Sequence, residues 1–347
     1  MIEEWDLLKR IRNFLYTISC PQKPKIKGRQ NYLTSERRKK SLLKIGKIPY
    51  ANLFPIFYML QRECKSSGYE FIEGVPSTLN RLLRSGQIDI SPSSSIEYLR
   101  CESQYTLIEG HSISSKGPVG SILFLSRKPL EELKGETILV SSQSETSVAL
   151  LDVILRKFYK IECSLRPTDE LLDSVISKAD AYLAIGDDAL KAKKTVTSYK
   201  LQVKRDKDSS LVTRHSFGDT PSLTLPSRGG GQGWGGIRIY DLGDLWYKNT
   251  GHPFVFALWI ARKDCFPEKA ELLNNFIHDL QKAKELALQN LDMIASELRP
   301  LLFSRHSLNI TAKEIAAFWK GISYDLTEEH KRGLELFRKY SEEMGLL

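Results

Sequence analysis

Metal-ligand motifs are missing from this sequence of 347 residues. Its six histidines form no HExxH or HxxxH pair, which excludes the common helical zinc sites. No CxxC pair is present, which excludes a zinc ribbon and a dithiol redox site. The cysteines are scattered and odd in number, as is typical of reduced thiols in a cytosolic protein; they are Cys20, Cys64, Cys101, Cys163 and Cys265. We therefore expect no bound metal.

Long apolar segments are also missing, since no window of about 18 uninterrupted apolar residues exists. This excludes an integral membrane segment. The first charged residues are the acidic Glu3, Glu4 and Asp6, whereas a secretory signal begins with positive charge. The sequence thus predicts a cytoplasmic protein. Apolar residues at helical spacing across 5–18 leave two interpretations open, an amphipathic helix at a membrane surface and a loosely docked extension.

The main body of the chain lacks an excess of either charge. Residues 1–48 carry 13 Lys and Arg against 4 Asp and Glu, and the remaining residues carry 38 of each. A nucleic-acid-binding domain would carry its basic excess on the folded surface, so we expect no nucleic-acid partner. We interpret residues 1–42 as a basic N-terminal extension and linker.

Strand-like and helix-like patterns alternate at short spacing from residue 43 onwards. Three apolar runs before residue 91 are each followed by a helical run, and the alternation restarts near residue 135. This pattern is typical of parallel βαβ units, so the predicted fold is α/β with two lobes. The predicted parts are residues 43–125 as the beginning of the first lobe, 126–245 as the second lobe, and 246–347 as a return strand and C-terminal helices that pack on the first lobe.

Residues 193–236 do not fit the alternation. The stretch is polar and rich in Gly, Ser and Pro, which predicts a disordered surface insertion in the second lobe. Its GGGQGWGG run neither follows a strand nor opens a helix, so it lacks the context of a phosphate-binding loop.

Small hydroxyl and amide residues stand at the ends of several apolar runs. Ser93–Ser95 and Ser144–Ser147 each precede a helical run, where the first amides have no intrahelical partner. Each cluster fits either an ordinary N-cap or an anion-binding site. Because one cluster occurs in each βαβ block, we favour a cleft that binds a dianion. Asn52 and Asp187 occupy comparable positions, and both also fit an ordinary turn or cap.

The run PFVFALWIAR, which follows Thr250-Gly251-His252, is apolar and aromatic and is typical of a buried strand. Its turn exposes backbone amides and a hydroxyl where the strand begins. No arrangement of histidine, carboxylate and nucleophile accompanies it. From the residues alone, a transport-type binding protein and a cofactor-free enzyme both remain open.

The chain resembles a known enzyme family in six segments, which occur in the same order. They are IGKIPYANLFP (45–55), GVPSTLNRLLRSGQIDISPSSSIEY (74–98), SISSKGPVGSILFLSRKPLEEL (112–133), SETSVALL (144–151), LAIGDDAL (183–190) and YDLGDLWYKNTGHPFVFALW (240–259). The pattern resembles the chorismate dehydratases of the futalosine route to menaquinone. The cyclases of the same route share the fold, but Asn52 and the GPVGS segment fit the dehydratases better.

The resemblance implies a two-lobed, type II periplasmic-binding-protein-like fold with a ligand cleft between the lobes. It also implies a cofactor-free hydro-lyase that removes water from chorismate, its small-molecule partner. The implied catalytic residues are Asn52 and Ser121. The implied substrate-binding residues are Ser94, Ser95, Ser144, Thr146, Ser147, Asp187, Thr250 and Phe254. Two alternatives remain open, a non-catalytic anion-binding protein and a paralogue inactivated by the 193–236 insertion.

Overall fold

A computed structural model describes residues 42–64, 68–170, 172–211, 236–306 and 308–347. The predicted N-terminal extension and the amphipathic pattern at 5–18 lie outside these residues. No helix within the described ranges is long and apolar enough to cross a bilayer.

The first sheet has five strands in the order β2-β1-β3-β10-β4. Its strands are β1 (Leu43–Lys47), β2 (Tyr69–Glu73), β3 (Ile90–Ser94), β4 (Tyr105–Ser115) and β10 (Phe254–Arg262). Strands β1, β2 and β3 run parallel, and β10 lies antiparallel between β3 and β4. The apolar run predicted as a buried strand is β10, and its first eight residues are buried. It is buried because it occupies an interior position in the sheet.

The second sheet also has five strands, in the order β7-β6-β8-β5-β9. Its strands are β5 (Ile122–Ser126), β6 (Thr137–Ser141), β7 (Ser164–Thr168), β8 (Ala181–Ile185) and β9 (Arg238–Asp241). Strands β6, β7 and β8 are parallel, and β5 is antiparallel to both β8 and β9. Strand β5 therefore belongs to the second sheet, although most of it falls within the range 43–125 predicted for the first lobe.

Helices follow most of the strands, as expected for βαβ units. Those of the first half are α1 (Phe54–Glu63), α2 (Pro76–Arg84), α3 (Ser95–Arg100), α4 (Glu145–Val153) and α5 (Leu172–Lys178). Those of the second half are α6 (Gly186–Leu211), α7 (Leu242–Thr250), α8 (Phe266–Gln289), α9 (Leu291–His306), α10 (Ala312–Lys320) and α11 (Glu328–Glu343). Helices α8 to α11 form the C-terminal part of the chain.

The predicted disorder from residue 193 is wrong for its first part. Helix α6 continues to Leu211, so 193–211 are helical. These residues are rich in Lys, which favours helices, and they contain neither Gly nor Pro. The first Gly of the insertion is Gly218. The rest of the predicted disordered stretch, 212–235, lies outside the described residues.

Each sheet has its own apolar core. In the first, the ring of Trp259 on β10 lies between Phe57 of α1 and Phe276 of α8, with centroid distances of 5.8 and 5.7 Å. In the second, a buried cluster joins β5 and β8 to α5 and α6. The chain crosses from the first sheet to the second between β4 and β5, at residues 116–121, and we call this segment the crossover. It returns through α7.

Candidate active site

A small cavity lies where the loops of the two sheets meet, and we call it the cleft cavity. Its volume is about 50 Å³. Its polar lining residues are Tyr50, Asn52, Ser94, Ser121, Ser144 and Ser147. Its other lining residues are Ile48, Pro76, Ile113, Ile122, Ile185, Gly186, Phe256 and Ala257. None of these residues is charged, so any anion bound here is held by neutral donors.

Asn52 lies in a turn of 3₁₀ helix that follows β1. Two residues of the C-terminal part of the chain donate hydrogen bonds to the backbone of this turn. Trp319 Nε1 donates to the carbonyl oxygen of Ala51 at 2.7 Å, and the Tyr324 hydroxyl donates to that of Asn52 at 2.6 Å. The Asn52 side-chain oxygen is buried and has no hydrogen-bond partner among the described residues. An unsatisfied buried acceptor costs about 1–3 kcal/mol, so Oδ1 is suited to a ligand hydroxyl.

Ser121 ends the crossover, directly before β5. Its residue is 3% exposed, and its hydroxyl makes no hydrogen bond to any described residue. Its backbone is fixed, because its carbonyl oxygen accepts from the Gly186 amide at 2.8 Å. Asn52 and Ser121 therefore contribute one unpartnered acceptor and one available hydroxyl to the same cavity.

Three further serines line the cavity from both sides of the cleft. Asn80 Nδ2 donates to the Ser94 hydroxyl oxygen at 2.6 Å, which leaves the Ser94 proton available to a ligand. Ser144 is the N-cap of α4, and its oxygen accepts from the Ser147 amide at 3.3 Å. The two hydroxyl oxygens of Ser144 and Ser147 lie 2.9 Å apart. The start of α4, with its partial positive charge, thus faces the cavity and favours an anion there.

Thr146 and Asp187, two of the predicted substrate-binding residues, bond across the cleft instead of lining the cavity. Thr146 Oγ1 accepts from the Ile96 amide at 3.0 Å, which joins α4 to the first turn of α3. Asp187 Oδ1 accepts from the Ala51 amide at 3.2 Å, which joins α6 to the turn after β1. Each bond links an element of the second sheet to one of the first, so both residues hold the cleft closed.

Ser95, Thr250 and Phe254 are not among the residues that line the cavity. The Ser95 hydroxyl donates to the carbonyl oxygen of Val255 at 2.6 Å. The Thr250 hydroxyl donates to the carbonyl oxygen of Trp246 at 2.8 Å, at the end of α7. Phe254 is buried among the aromatic rings of Trp246, Phe256 and Phe337. In this structure all three side chains serve local packing or backbone bonding.

Tyr50 and Phe256 line the cavity and were not predicted. The Tyr50 hydroxyl donates to Gln143 Oε1 on the opposite side of the cleft. Burial raises the pKa of Tyr50 well above its usual value, and the charge of Asp187 adds to the rise, so the phenol stays protonated. One feature of the sequence indicates that Tyr50 lies near the cavity: it stands two residues before Asn52. Phe256 lies two residues after Phe254 on the same strand, and the sequence does not distinguish which of the two reaches the cavity.

Gly186 completes the wall of the cavity and opens α6. Its φ is +58°, and a Cβ atom there would approach the Tyr50 ring to 3.2 Å. Glycine is therefore needed both for the backbone conformation and for the close approach of the ring. The same residue donates to Ser121, so the positions of Tyr50 and Ser121 are coupled through it.

Relatives of this chain are found by sequence. A family model described as menaquinone biosynthesis matches residues 43–206 and 232–343. The match is interrupted within the predicted insertion. The chorismate dehydratase of Thermus thermophilus is 29% identical over 311 residues, which cover 87% of this chain and 95% of that protein.

Solved structures share the architecture. A structural-genomics structure of a protein from Archaeoglobus fulgidus has a TM-score of 0.63 at 16% identity and covers 90% of this chain and 100% of that one. The periplasmic aliphatic sulphonate binding protein of Escherichia coli has a TM-score of 0.54 at 12% identity, with 88% of each chain covered. These likenesses confirm the predicted periplasmic-binding-protein-like fold. Because the family model spans most of the residues from 43 onwards, the chain belongs to the menaquinone-biosynthesis family.

Proposed function

We propose that this protein is a chorismate dehydratase, a hydro-lyase that converts chorismate to 3-[(1-carboxyvinyl)oxy]benzoate and water. The observation that carries the proposal is the meeting of Asn52 and Ser121 in a cavity lined by neutral donors. The dehydratase of Thermus thermophilus supports it, since 95% of that protein aligns with this chain. The proposal includes the cytoplasmic location predicted from the sequence.

Chorismate carries two carboxylates and one ring hydroxyl. The Ser94 hydroxyl and one hydroxyl of the bonded Ser144–Ser147 pair are placed to donate to the carboxylates. The start of α4 adds a favourable potential. The ring hydroxyl would donate to the unpartnered Asn52 Oδ1. The Ser121 hydroxyl would in turn donate to the same ring oxygen, which becomes the leaving group.

In the reaction, the ring carbon that bears the ether oxygen loses its proton, and the neighbouring carbon loses its hydroxyl. The electron pair of the broken C–H bond enters the ring, the C–O bond breaks, and the ring becomes aromatic. No carboxylate or imidazole is among the cavity-lining residues that the structure describes. We therefore assign the role of base to the carboxylate of the substrate's own enolpyruvyl group. The protein orients the substrate and stabilises the departing oxygen.

The cleft must open before chorismate enters. A cavity that offers about 50 Å³ of space to water holds only a few water molecules, since each needs about 10–15 Å³ of such space. Chorismate is much larger than this. We therefore interpret the structure as the closed form, in which the bonds of Thr146 and Asp187 join the two sides.

The test is to incubate the purified protein with chorismate and to follow substrate and product by chromatography and mass spectrometry. Ser121→Ala should abolish most of the turnover. Ser126→Ala is the matched control, because Ser126 is equally buried on the adjoining strand but donates to the carbonyl oxygen of Lys128. Binding of chorismate without turnover by the unmodified protein would instead indicate a non-catalytic binding protein.

A further inference from the structure

Asp241, the last residue of β9, accepts four backbone hydrogen bonds. Its Oδ1 accepts from Gly243 at 3.0 Å and from Asp244 at 3.3 Å, which caps the start of α7. The same oxygen accepts from Val119 at 3.0 Å, and Oδ2 accepts from Gly120 at 2.6 Å. A helix N-cap needs only the first two bonds. The other two attach the carboxylate to the crossover, immediately before Ser121.

The crossover needs such an attachment because of its sequence. Gly117 and Gly120 both have positive φ, at +97° and +77°, and glycine has little intrinsic preference between backbone conformations. The Gly120 amide is fixed by Asp241 Oδ2, and the carbonyl oxygen of Ser121 is fixed by Gly186. These two bonds hold the backbone on both sides of the Ser121 Cα atom. They therefore constrain the backbone from which its hydroxyl projects.

Asp241 has no ion-pair partner among the described residues, so backbone amides alone stabilise its charge. Burial raises the pKa of this carboxyl, and the four amides act in the opposite direction. Keeping a partly buried carboxylate without a cation costs folding free energy. A serine or asparagine would cap α7 without this cost. The carboxylate therefore has a second role, which is its attachment to the crossover.

We infer that Asp241 is a positioning residue for Ser121, whose hydroxyl it aims at the leaving oxygen through the Gly120 amide. The inference rests on the proposed function. A misplacement of about 1 Å at a reacting group costs about a hundredfold in rate, so a small rotation of the Ser121 backbone is enough to matter. The role differs from that of a catalytic residue, because Asp241 does not line the cleft cavity.

The decisive variant is Asp241→Asn. With its amide oxygen in the place of Oδ1, asparagine keeps the cap of α7 and the Val119 bond, but its NH₂ group then faces the Gly120 amide and cannot accept from it. We expect kcat for chorismate to fall by about tenfold to a hundredfold while KM stays within about threefold. Asp244→Asn is the matched control, since Asp244 lies in the same helix turn but pairs with the exposed Lys248. It should leave both constants unchanged.

A double-mutant cycle separates positioning from general damage. In a Ser121→Ala background, Asp241→Asn should lower the residual rate by less than about twofold, because the group that it positions is gone. An equal loss in both backgrounds would overturn the inference. If Asp241→Asn does not fold, Asp241→Ser keeps a good N-cap that is too short to reach Gly120, and the same cycle applies.

Amide hydrogen exchange at residues 119–121 provides a readout that does not depend on turnover. Asp241→Asn should speed exchange there relative to Asp244→Asn, and unchanged exchange would overturn the inference. If the unmodified protein left chorismate intact, the proposed function would fail, whereas the exchange experiment would still test the attachment of the crossover. The two failures are therefore distinguishable.

Discussion

Replacing Thr146 by valine should weaken closure of the cleft without disturbing the chemistry. Thr146 is 1% exposed, and its hydroxyl oxygen accepts from the buried Ile96 amide on the other side of the cleft. Valine has the same shape but no acceptor, so the closed form would contain an unsatisfied buried N–H group. In the open form water reaches that amide. The substitution therefore destabilises only the closed form.

The magnitude follows from the cost of an orphaned buried donor, about 1–3 kcal/mol. Such a change shifts the balance between closed and open forms by about 5- to 150-fold. If closure accompanies substrate binding, KM for chorismate should rise by up to that factor. The value of kcat should change much less, because Thr146 does not line the cleft cavity.

Steady-state kinetics with chorismate and small-angle X-ray scattering of the free protein would check this prediction. The radius of gyration of Thr146→Val should exceed that of the unmodified protein. Thr146→Ser keeps the hydroxyl and should behave normally. Thr250→Val makes the same chemical change at a hydroxyl whose bonds, to Trp246 and from the His252 amide, lie within α7 and the turn after it, so it should leave the scattering unchanged. Normal KM and scattering for Thr146→Val would refute the reasoning, as would a fall in kcat alone.

Three further outcomes are expected. Asn52→Ala and Ser121→Ala should each lower kcat for chorismate by about 10²–10³ with a smaller effect on KM, as measured by steady-state kinetics. Gly186→Ala should lower the free energy of unfolding by about 1–3 kcal/mol in denaturant titrations, because it adds a crowded Cβ atom to a strained φ. Gly110 has a φ of +78° and open space around it, so Gly110→Ala should lower the free energy of unfolding only by the cost of the strained backbone. Burial lowers the pKa of His111 from 6.5 to about 4, and nearby positive charge adds to this. Between pH 6.5 and 4 the unfolded chain therefore binds a proton at His111 that the folded chain does not. The free energy of unfolding should fall by up to about 3 kcal/mol as the pH drops across this range. Denaturant titrations at several pH values should show a weaker pH dependence for His111→Gln.

Features that depend on neighbouring residues could be predicted from the sequence. The run that forms β10 was predicted as a buried strand because its apolar residues are continuous. Ser144 stands directly before an apolar helical run, which fits both a cap and an anion site; it is the N-cap of α4 and also lines the cleft cavity. Ser94 and Asn52 stand at the ends of apolar runs and line the cleft cavity. Ser121, which also lines it, is indicated by the family resemblance alone.

Features that depend on distant residues could not be predicted. Ser94 and Ser95 are neighbours of the same type, yet one lines the cavity and the other donates to Val255, 160 positions away. Which of the two faces the cavity depends on the antiparallel pairing of β3 with β10. The assignment of β5 to the second sheet likewise depends on partners that local spacing does not reveal. Thr146 was correctly placed at the start of a helix, but its partner on α3 was not foreseeable.

The turn that carries Asn52 is held by Trp319 and Tyr324, which lie 268 and 272 positions further along the chain than their partners. During synthesis these residues are made long after the turn itself. A nascent chain therefore completes every strand of the first sheet before the turn that carries Asn52 can be fixed. Contacts of such large sequence separation also slow folding. A chain terminated before Trp319 would make neither bond, so the turn that carries Asn52 would lose both of these attachments.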